Sequence, residues 1–221
     1  MKINIQLFGG RGAKSSLTSI DRILKETAVI NPNFSTGGKQ YRENCQSCTL
    51  AFILREKGEN VVAMGGTGKS WQDGNGKKIS ITEMFNNNPE QKYFIVGSKR
   101  FDSQISARNY AMNSKYSNIY QVKANKNSIF TNSYEAIESE VKAWGNNGSG
   151  FITVNWKGNK GSHVFNLKNV KGKLVAIDTQ SNRIRNLRDT LNQVKPQFTH
   201  ITRTDNLSVN KRLKKYMVRE V

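Results

Sequence analysis

Both cysteines of the chain fall in one short stretch, NCQSC at residues 44–48, and a thiol there has three chemistries open to it. As zinc ligands, Cys45 and Cys48 would need two more. The only histidines, His163 and His200, are 37 residues apart on strand-like segments, which is not finger spacing. As a redox pair they would want the strand–helix–strand setting of a thioredoxin, which the order of elements here does not supply. As a nucleophile, a thiol wants a helix N-terminus, where unpaired N–H groups and the helix dipole favour thiolate and can hold an oxyanion. It also needs an imidazole to relay its proton and a third group to orient that ring. His163 opens the strand-like run SHVFNL, and Asp178 closes the next, LVAIDTQ, fifteen residues later across the turn NVKGK. Neighbouring antiparallel strands would set these two side chains beside each other.

The elements that must carry these residues are readable from periodicity. From Asn44 the pattern turns helical, with Leu50, Ala51 and Leu54 on one face and Gly58 as a stop. SLTSIDRILKETAVI has Leu17, Ile20, Ile23 and Leu24 at helical spacing. KRFDSQISARNYAMNS and SYEAIESEVKAWG also read as helices. In the second, Ala136, Ile137, Val141 and Trp144 form a stripe, glutamates come early and Gly145 follows the end. NVVAM is a short strand. FITVNWK, HVFNLKNV and KLVAIDTQ are longer ones, and residues 182–207 mix a short helix with a strand. Helices first and an antiparallel sheet afterwards give an α+β class.

The segment AMGGTGKS, residues 63–70, fits a relaxed phosphate-loop pattern. Such a loop must open a helix so that its N–H groups face the phosphates, and the WQDGNGKK that follows is turn chemistry. It reads as a Gly-rich loop after a strand.

Three blocks in order, NCQSCTLAFILREKGENVVA, SHVFNL and AIDTQ, resemble the signature blocks of papain-fold toxins, the Tox-PL, glutamine-deamidase-like group. The resemblance runs from about residue 40 to 185. It implies a papain-like fold with N-terminal helices on an antiparallel sheet. It also implies a cysteine-dependent amidohydrolase acting on protein, by glutamine deamidation or by proteolysis. Carried over, Cys45 is the nucleophile, His163 the general base and acid, and Asp178 the orienting group, with Asn44 and Gln180 in support. Cys48 stands as the alternative nucleophile, because CQSCTLAF also slides onto the block around the papain cysteine. Position favours Cys45, beside Asn44 at the expected helix start, while Cys48 shares an apolar face with Ala51 and Phe52. Ser162 stands where the family has Gly and Thr179 where it has Pro. His200, in PQFTHITRTD, matches no block and reads as structural.

Bulk properties bound the setting. A chain of 221 residues with ten Phe, seven Tyr and three Trp can hold one sizeable core. No apolar run reaches the length of a membrane span, and no secretory signal is evident. The opening residues MKINIQLFGGRGA resemble the starts of phage head-associated proteins. The expected layout is a leader and first helix over 1–35, a hydrolase domain over 36–205 and a loose basic tail over 206–221. A net charge of +19 favours anionic partners, with nonspecific nucleic acid among them. A protein substrate and an immunity or inhibitor protein are the other expected partners. The mechanism calls for no cofactor or metal. Host cytoplasm or a virion is the expected location, and a noncatalytic phage head or DNA-packaging accessory is the rival reading.

Overall fold

The computed structural model describes residues 19–66, 71–85, 93–116, 118–122 and 126–221. The phage-like leader, with Leu17, lies outside the described residues, as do the last four residues of AMGGTGKS. In chain order the elements are α1 (Ile20–Ala28), α2 (Cys45–Glu56), β1 (Val61–Ala63), β2 (Tyr93–Val96), β3 (Lys99–Phe101) and α3 (Gln104–Met112). Then come β4 (Ile119–Val122), β5 (Lys126–Phe130), α4 (Tyr134–Ala143), β6 (Ser149–Asn155), β7 (Ser162–Val170) and β8 (Lys173–Asp178). The chain finishes with β9 (Arg183–Arg185), α5 (Leu187–Asn192), β10 (His200–Arg203), α6 (Lys211–Lys214) and β11 (Val218–Glu220).

Nine strands form one antiparallel sheet in the order β3-β2-β4-β5-β10-β6-β7-β8-β9. This is the expected α+β class, with α1 and α2 packed on the sheet. The period-2 alternation of a strand divides its central side chains between two cores. Phe151, Val164 and Ile177 pack with α1, α2 and β1. Ile152, Val154, Phe165 and Leu167 pack with Ile137 and Val141 of α4 and with Leu187 and Leu191 of α5. Both faces of β7 are therefore covered, and its residues from His163 to Val170 are all buried. A third, smaller core joins α3 to β2, β4 and Phe130.

Helix α4 ends where the sequence says it should, whereas the reading of residues 99–114 as one helix is corrected: Lys99–Phe101 form β3, and Ser103 caps α3. Ser133 caps α4 by accepting from the Ala136 N–H, and Gly145, at φ +83°, takes the left-handed turn after Trp144. Beyond β1, the described residues 71–80 that follow the Gly-rich segment form no helix. Gln72 bridges Lys78, and Asp73 Oδ1 accepts from the Asn75 and Lys77 N–H groups at 2.9 Å each. Turn residues here stop the helix that a phosphate loop requires.

The C-terminal segment corrects the expectation of a loose tail. β11 pairs antiparallel with β1, and Met217 and Val218 are buried in the α2 core. The Lys214 ammonium meets Glu59 at 2.5 Å. Two apolar residues among many lysines hold this strand in place, which composition alone conceals. Met217→Ala should lower the unfolding free energy by about 2–4 kcal/mol in urea titrations, as for other buried large-to-small changes, while Lys215→Ala should have little effect.

Candidate active site

Helix α2 starts at Cys45 because Asn44 is its N-cap residue, yet the Asn44 side chain does not cap it. The fully buried Asn44 amide is engaged elsewhere. Its Nδ2 donates to Met64 O at 3.0 Å and Asn31 Oδ1 at 3.2 Å. Its Oδ1 accepts from Gln180 Nε2 at 3.2 Å and from the Cys48 thiol at 3.3 Å. Asn31 closes the network by donating to the Gln180 and Tyr41 carbonyls, at 3.0 and 2.9 Å. The first turn of α2 is thus anchored to the end of β8 while its N–H groups stay free of a side-chain cap. That is the arrangement an oxyanion would use.

A ladder of polar contacts fixes α2 along β7. The Cys45 thiol lies close enough to the His163 ring to favour its charged form. Thr49 Oγ1 donates to Val164 O at 3.2 Å, and Asn166 Nδ2 donates to Thr49 O at 3.2 Å. Near the helix end, Lys168 Nζ meets Glu56 at 2.5 Å with both groups nearly out of solvent. Residues 45 to 56 of a helix and 163 to 168 of a strand each span about 16 Å, so the contacts stay in step. Burial raises the Glu56 carboxyl despite the opposing charge of Lys168, a sign of how dry this end is.

His163 and Asp178 meet across β7 and β8. Asn166 pairs with Ile177, so His163, Phe165 and Asp178 share the other parity of the sheet. His163 Nε2 and Asp178 Oδ2 are 3.2 Å apart, so Nδ1 is the ring nitrogen open to a proton-transfer partner. Burial disfavours the imidazolium, but hydrogen bonds and charges from Asp178 and Cys45 outweigh it and raise the His163 pKa to about 9. Burial also opposes ionisation of Asp178. The hydrogen bond and charge of His163, then the Arg185 guanidinium and the Ser181 hydroxyl, nevertheless hold it well below the usual carboxylate range. Asp178 Oδ1 and Ser181 Oγ are buried without a close hydrogen bond, so the hydroxyl acts on the carboxylate only from nearby.

Three residues that the sequence did not single out complete the surroundings. Arg185 Nε donates to Asp178 Oδ2 at 2.8 Å, with its second nitrogen at 2.6 Å. Trp156 stacks on His163 at 6.3 Å between centroids and 22° between planes, and it also lies under the Arg185 guanidinium. Asn31 ties the network behind Asn44. Arg185 sits in the basic cluster NRIRNLR, and only the β8–β9 pairing turns it towards Asp178.

Cys45, His163 and Asp178 are brought together, and Asn44 and Gln180 stand beside them in contact with each other. Cys48 is fully buried three residues further on, among Ala51 and Phe52. Burial, then the nearby Cys45 and Asp178, push its thiol well above the ordinary range. His200 is elsewhere. Val154 pairs with His163 and Thr153 with His200, so the two imidazoles lie on opposite faces with β6 between them. A four-ligand zinc site from the two cysteines and two histidines is therefore not assembled. His200 instead stacks on Phe130 at 4.9 Å, and burial with the Arg108 charge lowers its pKa to about 4. Ser162 Oγ donates to Asn155 Oδ1 at 2.5 Å, and Thr179 Oγ1 to Asn166 Oδ1 at 3.2 Å, so both departures from the family pattern are accommodated.

Residues 43–183, more than half of the chain, match the family described as papain fold toxin 1, glutamine deamidase. Comparison with curated proteins and with solved structures gives no match. No helix among the described residues is long and apolar enough to cross a membrane.

The pH dependence of this pair has a definite sign. His163 is raised above its ordinary 6.5, so its contribution to stability is full below that value and is lost as pH rises through about 9. Asp178 is depressed, so its contribution is present above its ordinary 3.8 and is lost as pH falls through its folded value. Asp178→Asn should lower the His163 pKa by at least about one unit in an NMR imidazole titration. It should also flatten the decline of the urea midpoint between pH 6.5 and about 9.

Proposed function

The chain belongs to the papain-fold toxin family of glutamine deamidases, and on that premise we propose that it deamidates glutamine side chains of a host protein through Cys45, His163 and Asp178. The carrying observation is the placement of His163, with the Cys45 thiol near its ring at the mouth of α2 and a buried carboxylate on Nε2. In this mechanism His163, whose ring is charged near neutral pH beside the ionised Asp178, holds the proton given up by Cys45. The thiolate attacks the carboxamide carbon, and the first-turn N–H groups of α2 hold the oxyanion. His163 Nδ1–H then protonates the departing nitrogen, ammonia leaves and a thioester remains. Water attacks the thioester, His163 takes its proton, and glutamate and thiolate are released. Asp178, clamped by Arg185, keeps the ring oriented and stabilises its charge throughout. Asn44 and Gln180 support this by fixing the start of α2 to the end of β8.

Cys48 is not the nucleophile in this reading, since it is buried and spends its S–H on Asn44. The same apparatus on a peptide bond would be a protease; family membership favours the side-chain amide.

Peptide mass spectrometry of proteins incubated with the enzyme should reveal Gln-to-Glu conversion without new chain ends. New termini would make it a protease, and neither change would remove the enzymatic reading. Cys45→Ala should cut the rate by about a thousandfold or more, whereas Cys48→Ala should leave most of it.

A further inference from the structure

A concave site lies on the same end of the sheet as the triad. β6 ends at Asn155 where β7 begins at Ser162, and register carries that end through His200 of β10 and Phe130 of β5 to Ile119 of β4. There, beside the C-terminus of α3, opens a cavity of about 380 Å³ lined by Arg108, Met112, Lys115, Tyr116, Ile119 and Phe130, among others. Three to four strand spacings of ~4.8 Å separate it from β7 along the sheet, about 14–19 Å. The parity of Phe130 and His200 is that of Phe151, so the cavity shares the α2 side of the sheet.

The chemistry of the lining is one-sided. Two cations join apolar and neutral polar side chains, and no carboxylate among the described residues lines the cavity. Burial alone lowers the Arg108 pKa, with no acidic neighbour offsetting it. The guanidinium lies over the Phe198 ring at 4.5 Å, on the stretch leading from this cavity towards β10. Around it Ile105 and Met112 are 70% and 67% exposed, large apolar side chains on the outer face of α3. An apolar side chain flanked by carboxylates complements this surface. The chain's own residues 1–18 do not, because they carry Lys2, Arg11 and Lys14 and no acid.

We propose that this cavity docks an acidic, apolar-anchored segment of the protein substrate and so presents a glutamine to Cys45. The proposal rests on the reading of the triad as a protein-directed amide hydrolase. At ~3.3 Å per residue, an extended segment needs at least about four to six residues to bridge the two sites. Substrates should therefore carry Asp or Glu around a bulky apolar residue at that distance from the target glutamine, or at the same separation on a folded surface.

The test uses the full chain as Cys45→Ala with two fluorescein-labelled peptides, Glu-Glu-Leu-Phe-Glu-Glu and Lys-Lys-Leu-Phe-Lys-Lys, read by fluorescence anisotropy. The acidic peptide should bind and the basic one should not. Arg108→Glu/Lys115→Glu should weaken binding about tenfold or more, and so should Met112→Asp at an exposed position that leaves folding intact. Lys173→Glu/Lys211→Glu, an equal charge change at exposed sites elsewhere, should not. No binding, or an equal loss in both charge-reversed pairs, would overturn the docking site. The peptides contain no glutamine and the protein no nucleophile, so this result is independent of whether the triad deamidates.

Discussion

A buried contact of 3.2 Å between His163 and Asp178 joins two adjacent strands, and the arrangement of the candidate site depends on it. One ring nitrogen faces the carboxylate, so the other is the one open to the thiol, and the orientation of the ring is set before any substrate arrives. The contact exists because the β7–β8 turn sets Asn166 opposite Ile177, which puts His163 and Asp178 on one parity near the open end of the sheet. Cys45 arrives from α2, which is held to β7 by Thr49, Asn166, Lys168 and Glu56. A one-residue slip in either pairing would turn the imidazole or the carboxylate to the other face.

Burying a cation and an anion at such a place is costly unless both are well paired. Asp178 Oδ2 accepts from His163 and from Arg185, and the Arg183 guanidinium adds an ion pair at 3.7 Å. Arg185 offsets the burial of the carboxylate and at the same time competes with His163 for one oxygen. Trp156 covers His163, excluding water from the contact and strengthening it. The outcome is an imidazole held charged near neutrality, the state required to protonate a departing nitrogen.

Much of this was legible in the sequence because the elements involved are long or punctuated. Helix α4 shows an apolar stripe and a terminal Gly145, and β6 to β8 alternate with a tight turn between two of them. Cys45 could be placed at a helix start from Asn44 and the apolar pattern beyond it. The strands β2, β4 and β5 were not legible, since runs of four or five residues among Asn- and Lys-rich loops are too short for a period-2 signal. β11 was hidden for a similar reason, as Met217 and Val218 supply its burial within a lysine-rich segment. Arg185 and Trp156 carry no local signature. Their roles arise from which strand lies next to which, and periodicity does not encode that.

The most direct measurement is the pH dependence of Cys45 alkylation by iodoacetamide in the wild type and in His163→Ala. A thiolate held by a charged imidazole predicts rapid alkylation of Cys45, and not of Cys48, already below about pH 7. The substituted protein should react only as pH approaches the ordinary thiol range near ~8.5. Identical pH profiles for the two proteins, or modification falling on Cys48, would contradict it.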